Sequence, residues 1–144
     1  MNPKVVTRRD AESLNVLGVE HVIHVGGDES GGTIVFAELV IPANMGIPRH
    51  VHTREDEIFH VLEGEVLFGI GNREIAGAIG TTVFGPRNVP HSYAAANGRS
   101  VRMIVTITPS GMEPMFRELS RLPAGAPDLA RVAEIVGRYG IAFA

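Results

Sequence analysis

Between residues 16 and 108 no single pattern lasts long. Short runs rich in branched and aromatic residues are cut off repeatedly by glycine, proline or asparagine. "VLGVEHVIHV" alternates, with Leu17, Val19, Ile23 and Val25 on one side, and the cluster "GGDESGG" turns the chain after it. "TIVFAELVI" is a strand closed by Pro42. "EIFHVLEGEVLFGI" reads as two strands joined across Glu63, Gly64 and Glu65, and "NREIAG", "TTVFGP", "HSYAAA" and "SVRMIVTIT" follow. Runs this short between turn signals predict an all-β fold, an antiparallel sandwich or barrel. Beyond Pro109 the period lengthens. Met112, Met115, Phe116, Leu119 and Leu122 follow a helical rhythm, and so do Leu129, Val132, Ala133, Val136 and Tyr139. Pro127 suits the first turn of the second helix and Asp128 its positive end. Each helix has one apolar face. The expectation is that both pack on the outside of the barrel, a lid over an opening being the alternative.

The chain of 144 residues is the size of one domain, with the barrel over about residues 16–108 and the helical tail over about 110–144. It contains no cysteine, which excludes a disulfide framework, thiolate metal ligands and a cysteine nucleophile. A net charge of −3, with both signs mixed along the chain, leaves no footprint for nucleic acid or an anionic membrane. The first residues lack the apolar core of a signal peptide, and no apolar run approaches the ~20 residues of a membrane span. A soluble cytoplasmic protein with no nucleic-acid or membrane partner is expected.

One stretch breaks the apolar, nearly neutral character. "IPRHVHTREDEIFHVLEGE", residues 47–65, holds three of the six histidines and five of the sixteen acids. His50 and His52 are one residue apart, so on a strand both rings lie on one face. Two buried free imidazoles each need a partner, and protonating one opposes protonating the other. A divalent cation gives both the same partner. Among the nearby acids, Glu57 shares a strand face with Phe59 and Val61 and is expected to point inward. Glu55 and Asp56 fall in the turn and are expected to be solvated. His60 lies on the opposite face from Glu57 and is left outside the site. In "GTTVFGPRNVPHSYAAAN", Gly80, Pro86, Asn88 and Pro90 form a rigid turn that delivers His91 at a strand start, where an antiparallel barrel can set it opposite His50 and His52. Glu38 is expected to be an outward or edge acid rather than a second acid in the cavity, and His21 a core or subunit-interface histidine rather than a fourth imidazole at the metal.

These two stretches resemble the two motifs of the cupin family. His50-Val51-His52, four residues, Glu57, six residues and Gly64 match the first motif from its first histidine onward, while Gly46 stands closer to His50 than the family's leading glycine. Gly80, Pro86 and His91 fit the second motif. Asn88 replaces a glycine, which suits a residue tolerant of left-handed backbone angles, and Ala95 stands where the motif ends in asparagine. The tail is similar to that of single-domain bacterial cupins called quercetinase-like. The resemblance implies a double-stranded β-helix (jelly roll) with two short C-terminal helices, in which His50, His52, Glu57 and His91 hold one divalent transition metal: Fe, Mn, Ni, Co, Cu or Zn. It further implies a homodimer formed by exchange of an N-terminal strand. Phe59, Val61, Phe68, Phe84 and Tyr93 are expected to wall a pocket for a small-molecule ligand. The leading expectation is a dioxygenase of a phenolic or enolisable compound with Glu57 as catalytic base. A non-redox isomerase or polyketide-type cyclase, or a binding protein without turnover, stands beside it.

Overall fold

Alternation of inward apolar and outward polar residues builds two antiparallel sheets in the computed structural model, which describes residues 1–144. The strands are β1 (Glu12–Val16), β2 (Val19–Val25), β3 (Val35–Ile41), β4 (Gly46–His52), β5 (Asp56–Glu63), β6 (Val66–Ile70), β7 (Arg73–Gly77), β8 (Thr82–Gly85), β9 (His91–Ala95), β10 (Val101–Thr108) and β11 (Ile141–Phe143). Three helices accompany them: α1 (Gly27–Ser30), α2 (Glu113–Ser120) and α3 (Leu129–Gly137). One sheet runs β1-β2-β3-β10-β5-β8 and the other β11-β4-β9-β6-β7. The expected all-β jelly roll with two short C-terminal helices is the architecture observed.

β10 shows the rule most clearly. Val101, Met103, Val105 and Ile107 are buried, and the residues between them are only partly so. With Ala37, Leu39 and Ile41 of β3 and Phe59 and Val61 of β5 they line the interior between the sheets. At ~1.5–3 kcal/mol for each fully buried large side chain, this interior is the main source of stability.

Several local expectations are corrected. Glu63, Gly64 and Glu65 do turn the chain, with Gly64 at φ +81°, but β5 and β6 are not partners. β5 pairs with β10 and β8 while β6 pairs with β9 and β7, so the turn carries the chain from one sheet to the other. A side chain at Gly64 would also run into the Ser100 carbonyl, 2.5 Å from an added Cβ. Leu17, expected on the strand face, sits in the β1–β2 turn at φ +53°. The "GGDESGG" turn contains the single helical turn α1. Strands β1 and β11 were not legible in the sequence.

The tail is also more intimate than expected. Met112, Met115, Phe116 and Leu119, then Val132, Ile135, Val136 and Ile141, are all buried. Asp128 caps α3, its Oδ1 accepting from the amides of Ala130 and Arg131. The last strand, β11, pairs with β4, setting Ile141 opposite His52 and Phe143 opposite His50. No helix is long and apolar enough to cross a membrane.

Candidate metal centre and cavity

β4, β5 and β9 each bring part of one cluster. On β4 the one-residue spacing sends both His50 and His52 inward. On β5, Glu57 heads the inward row that continues with Phe59 and Val61. On β9, His91 opens the inward row His91-Tyr93-Ala95, and its Cα pairs with His50. The turn before β9 is tied down on two sides. Asp56 accepts from the backbone and guanidinium of Arg87, and the amide of Asn88 donates to the His52 carbonyl. Asn88 itself takes φ +65°, the left-handed conformation that its side chain tolerates and that the motif's glycine would supply. Gly46 lies so near β9 that an added Cβ would stand 2.1 Å from the Tyr93 carbonyl, so β4 and β9 can approach closely only with glycine there.

One nitrogen or oxygen from each of His50, His52, Glu57 and His91 lies within 4.8 Å of the others. Opposed ligands on an ion with bonds of ~2.1 Å would be about 4.2 Å apart, so the cluster has nearly the size of a coordination sphere. The outward-facing nitrogens are already committed. Nδ1 of His50 donates to the Pro48 carbonyl at 2.7 Å, and Nδ1 of His91 to the Val89 carbonyl at 3.2 Å. Nδ1 of His52 faces Glu55 Oε2 at 3.3 Å. A carbonyl or carboxylate oxygen on Nδ1 fixes the tautomer and leaves Nε2 free, the outer arrangement found around metal-binding histidines. Nε2 of His91 lies 2.7 Å from Glu57 Oε2, while the buried Nε2 of His52 makes no hydrogen bond, the same Glu57 oxygen standing 3.5 Å away. An orphaned buried nitrogen beside two more imidazoles and a carboxylate fits a divalent transition metal.

The electrostatics agree with this. Burial, followed by the charge of His91, pushes His50 down to about 4, so it is neutral and ready to ligate at physiological pH. Burial also opposes ionisation of Glu57, but the His91 hydrogen bond and the charges of His52, His91 and His50 outweigh it and hold the carboxyl below its usual value. For His52, burial is outweighed by the Glu55 hydrogen bond and the charges of Glu57 and Glu55, which raise it.

Glu55 is the residue that sequence reasoning missed. It was expected in solvent, yet it is only 5% exposed and supports His52 from the side away from the cluster. The i, i+3 spacing from His52 was the available signal. Glu55→Gln is expected to weaken metal binding by about 10–100-fold while leaving the fold intact, as for other outer partners of metal ligands. Competition with a chromophoric chelator measures this; an unchanged affinity would remove Glu55 from the site.

Above the cluster lies a small cavity of about 60 Å³. Its lining includes Ile47, Tyr93, Val105, Ile107 and, from the tail, Met112, Phe116 and Ile141. The tail therefore closes over the side of the barrel that holds the cluster, which corrects its expected place on the outside. The expected wall residues divide. Tyr93 lines the cavity, whereas Phe59, Val61 and Phe68 lie in the core and are not among the lining residues. Phe59 still touches the site, its ring centroid 5.8 Å from that of His91 and 5.3 Å from that of Tyr93. Phe84 is no wall residue. It follows Val83, which pairs with Phe59 on the inner face, and so it points outward, 58% exposed. His60 faces outward as expected and bonds Thr82 Oγ1. Glu38 is outward but not at an edge: it is buried under Arg8 and Arg102 on a central strand.

Residues 37–107 match the family model described as "Cupin domain". Among solved structures, a predicted oxalate decarboxylase from Thermotoga maritima is 20% identical, with 73% of this chain and 98% of that one covered and a TM-score of 0.66. KdgF from Halomonas sp. is 15% identical, covering 78% and 99%, with a TM-score of 0.69. The polyketide cyclase RemF from Streptomyces resistomycificus is 25% identical, covering 74% and 79%, with a TM-score of 0.63. Among curated protein sequences none matches.

Proposed function

The chain belongs to the cupin family, and from that premise we propose that it is a metal-dependent enzyme acting on a small, largely apolar molecule with a phenolic or enolisable oxygen. The observation that carries this reading is the convergence of His50, His52, Glu57 and His91 at an apolar cavity, with one ring nitrogen left unpartnered. When bound there, a divalent ion supplies Lewis acidity toward a substrate oxygen and, if redox-active, electrons for O₂. The chain's own residues do the rest. Glu57 is held ionised and takes the proton as the substrate O–H bond breaks, the electron pair staying on the oxygen. Val105, Ile107, Met112 and Phe116 hold the apolar body and keep bulk water out.

A dioxygenase reaction is the first reading, because an electron-rich phenolate or enolate in a dry pocket is a good partner for O₂. A non-redox cyclisation or isomerisation is the second. It is favoured by the similarity to the polyketide cyclase RemF, and it would use the same proton abstraction with zinc. The two separate on metal exchange combined with oxygen uptake over a panel of catechols, salicylates and flavonols. Uptake that depends on both substrate and Fe, Mn, Co, Ni or Cu supports the dioxygenase. Turnover with zinc and no uptake supports the cyclase or isomerase. A protein that retains no metal after reconstitution would overturn the reading as a whole.

We also propose a homodimer, through a different surface from the one the sequence suggested. β2, expected to exchange between subunits, is paired on both edges within its own chain by β1 and β3. The outer face of the same sheet instead exposes Ile58 beside Phe84, with Phe36 in the same row on the far side of Thr106. Phe84→Arg is expected to convert a dimer to a monomer in light scattering. A wild-type monomer at all concentrations would dispose of the idea.

A further inference from the structure

Besides the three imidazoles of the cluster, a fourth histidine lines the cavity. The fourth, His21, stands on the inner face of β2 with its Cα paired to Leu14 of β1 and Leu39 of β3. It is 4% exposed and its ring lies against Phe116 of α2, centroids 4.8 Å apart. Its Nδ1 is 3.0 Å from the Val19 carbonyl. A carbonyl only accepts, so Nδ1 carries the proton and Nε2 the lone pair. This is the same i−2 carbonyl device that prepares His50 and His91. The difference lies in where the free nitrogen goes. His21 is separated from Glu57 by β3 and β10, and it lies outside the four-residue cluster. Its Nε2 has no hydrogen-bond partner within the protein.

Packing alone does not account for a histidine here. Apart from the cluster and the Tyr93 hydroxyl, every other side chain lining the cavity is apolar. A leucine would fill the space against Phe116 without the desolvation cost of an imidazole. Burial keeps the ring neutral at physiological pH, pushing it down to about 4, so its free nitrogen is an acceptor and carries no charge. An acceptor held in one tautomer, facing an apolar cavity and lacking a protein partner, is matched by a donor on the cavity's occupant.

We propose that His21 is a ligand-recognition residue whose Nε2 accepts a hydrogen bond from a hydroxyl or N–H at the end of the substrate remote from the His50, His52, Glu57 and His91 cluster. The inference rests on the reading of the cavity as a small-molecule site and narrows its substrate class. The preferred molecule has a chelating oxygen at one end, a flat or aliphatic apolar middle, and a hydrogen-bond donor at the other.

The test uses zinc-loaded protein and three probes, salicylate and its 4-hydroxy and 5-hydroxy analogues, with binding read by calorimetry and metal content by elemental analysis. Wild type is expected to bind one hydroxy analogue about five- to tenfold more tightly than salicylate, the value of one net hydrogen bond. His21→Leu should keep its zinc and its affinity for salicylate but lose that preference. His21→Gln, which retains an acceptor, should recover part of it. Equal binding of the three probes by wild type, or a preference that survives in His21→Leu, overturns the assignment of His21 while leaving the site intact. Absence of both zinc and salicylate binding in wild type overturns the proposed function and this inference with it.

Discussion

Alanine in place of His52 is expected to leave the purified protein without stoichiometric metal. The side chain is almost fully buried, its Nε2 makes no hydrogen bond and faces Glu57 at 3.5 Å, and its Nδ1 is steadied by Glu55. Three donors would remain, and the space vacated by the ring would open beside them. Loss of an outer partner already costs about 10–100-fold in affinity, so loss of a direct ligand should cost more than ~100-fold. The same substitution also strands Glu55, a buried carboxylate whose hydrogen-bond partner is His52. The metal-free variant should therefore be somewhat less stable than metal-free wild type. His60→Ala is the control: it lies on the outer face and should keep its metal. Elemental analysis with chelator competition reads both variants. Full metal occupancy in His52→Ala would remove the candidate centre.

Ending the chain at Pro109 is expected to abolish cooperative folding. The tail buries eight large apolar side chains, Met112, Met115, Phe116, Leu119, Val132, Ile135, Val136 and Ile141. At ~1.5–3 kcal/mol each they contribute about 12–24 kcal/mol of burial before ordering costs, against a net stability of roughly 5–15 kcal/mol for a whole domain. Truncation would also uncover Val105 and Ile107 and strip β11 from the strand that carries His50 and His52. Thermal unfolding followed by circular dichroism should show no sharp transition. A truncated chain that melts like the full one would mean the tail is an appendage on the outside, as first expected. A milder probe is Phe116→Ala, for which a loss of about 3–5 kcal/mol is expected in denaturant titration.

Both predictions rest on features that differ in how far the sequence revealed them. The strands were legible because period-two alternation and Gly, Pro and Asn breaks are local signals, and Asn88 could be assigned left-handed angles because it stands where the cupin motif has a glycine and its side chain tolerates them. The same signals left each strand two possible faces. Alternation says that Thr82 and Phe84 share a side; only the pairing of β8 with β5 shows that Val83 faces in with Phe59 and Phe84 faces out. Gly64 marked a turn, but a turn does not say whether its two strands pair or part into different sheets. β11, three residues long, is too short to show a period. Glu55 looked like any acid in a charged loop until the fold buried it behind His52.

Composition, strand and helix periodicity, and the spacing of His50, His52, Glu57 and His91 thus determined an all-β barrel with a helical tail and four candidate ligands. They could do so because each signal spans only a few residues or matches a motif of fixed spacing. Tertiary structure alone decided that the tail closes the cavity, that Glu55 supports His52, and that His21 looks into the site. Those outcomes join residues as far apart as His21 and Phe116, and contacts across such separations follow from strand order and sheet packing, which no local pattern encodes.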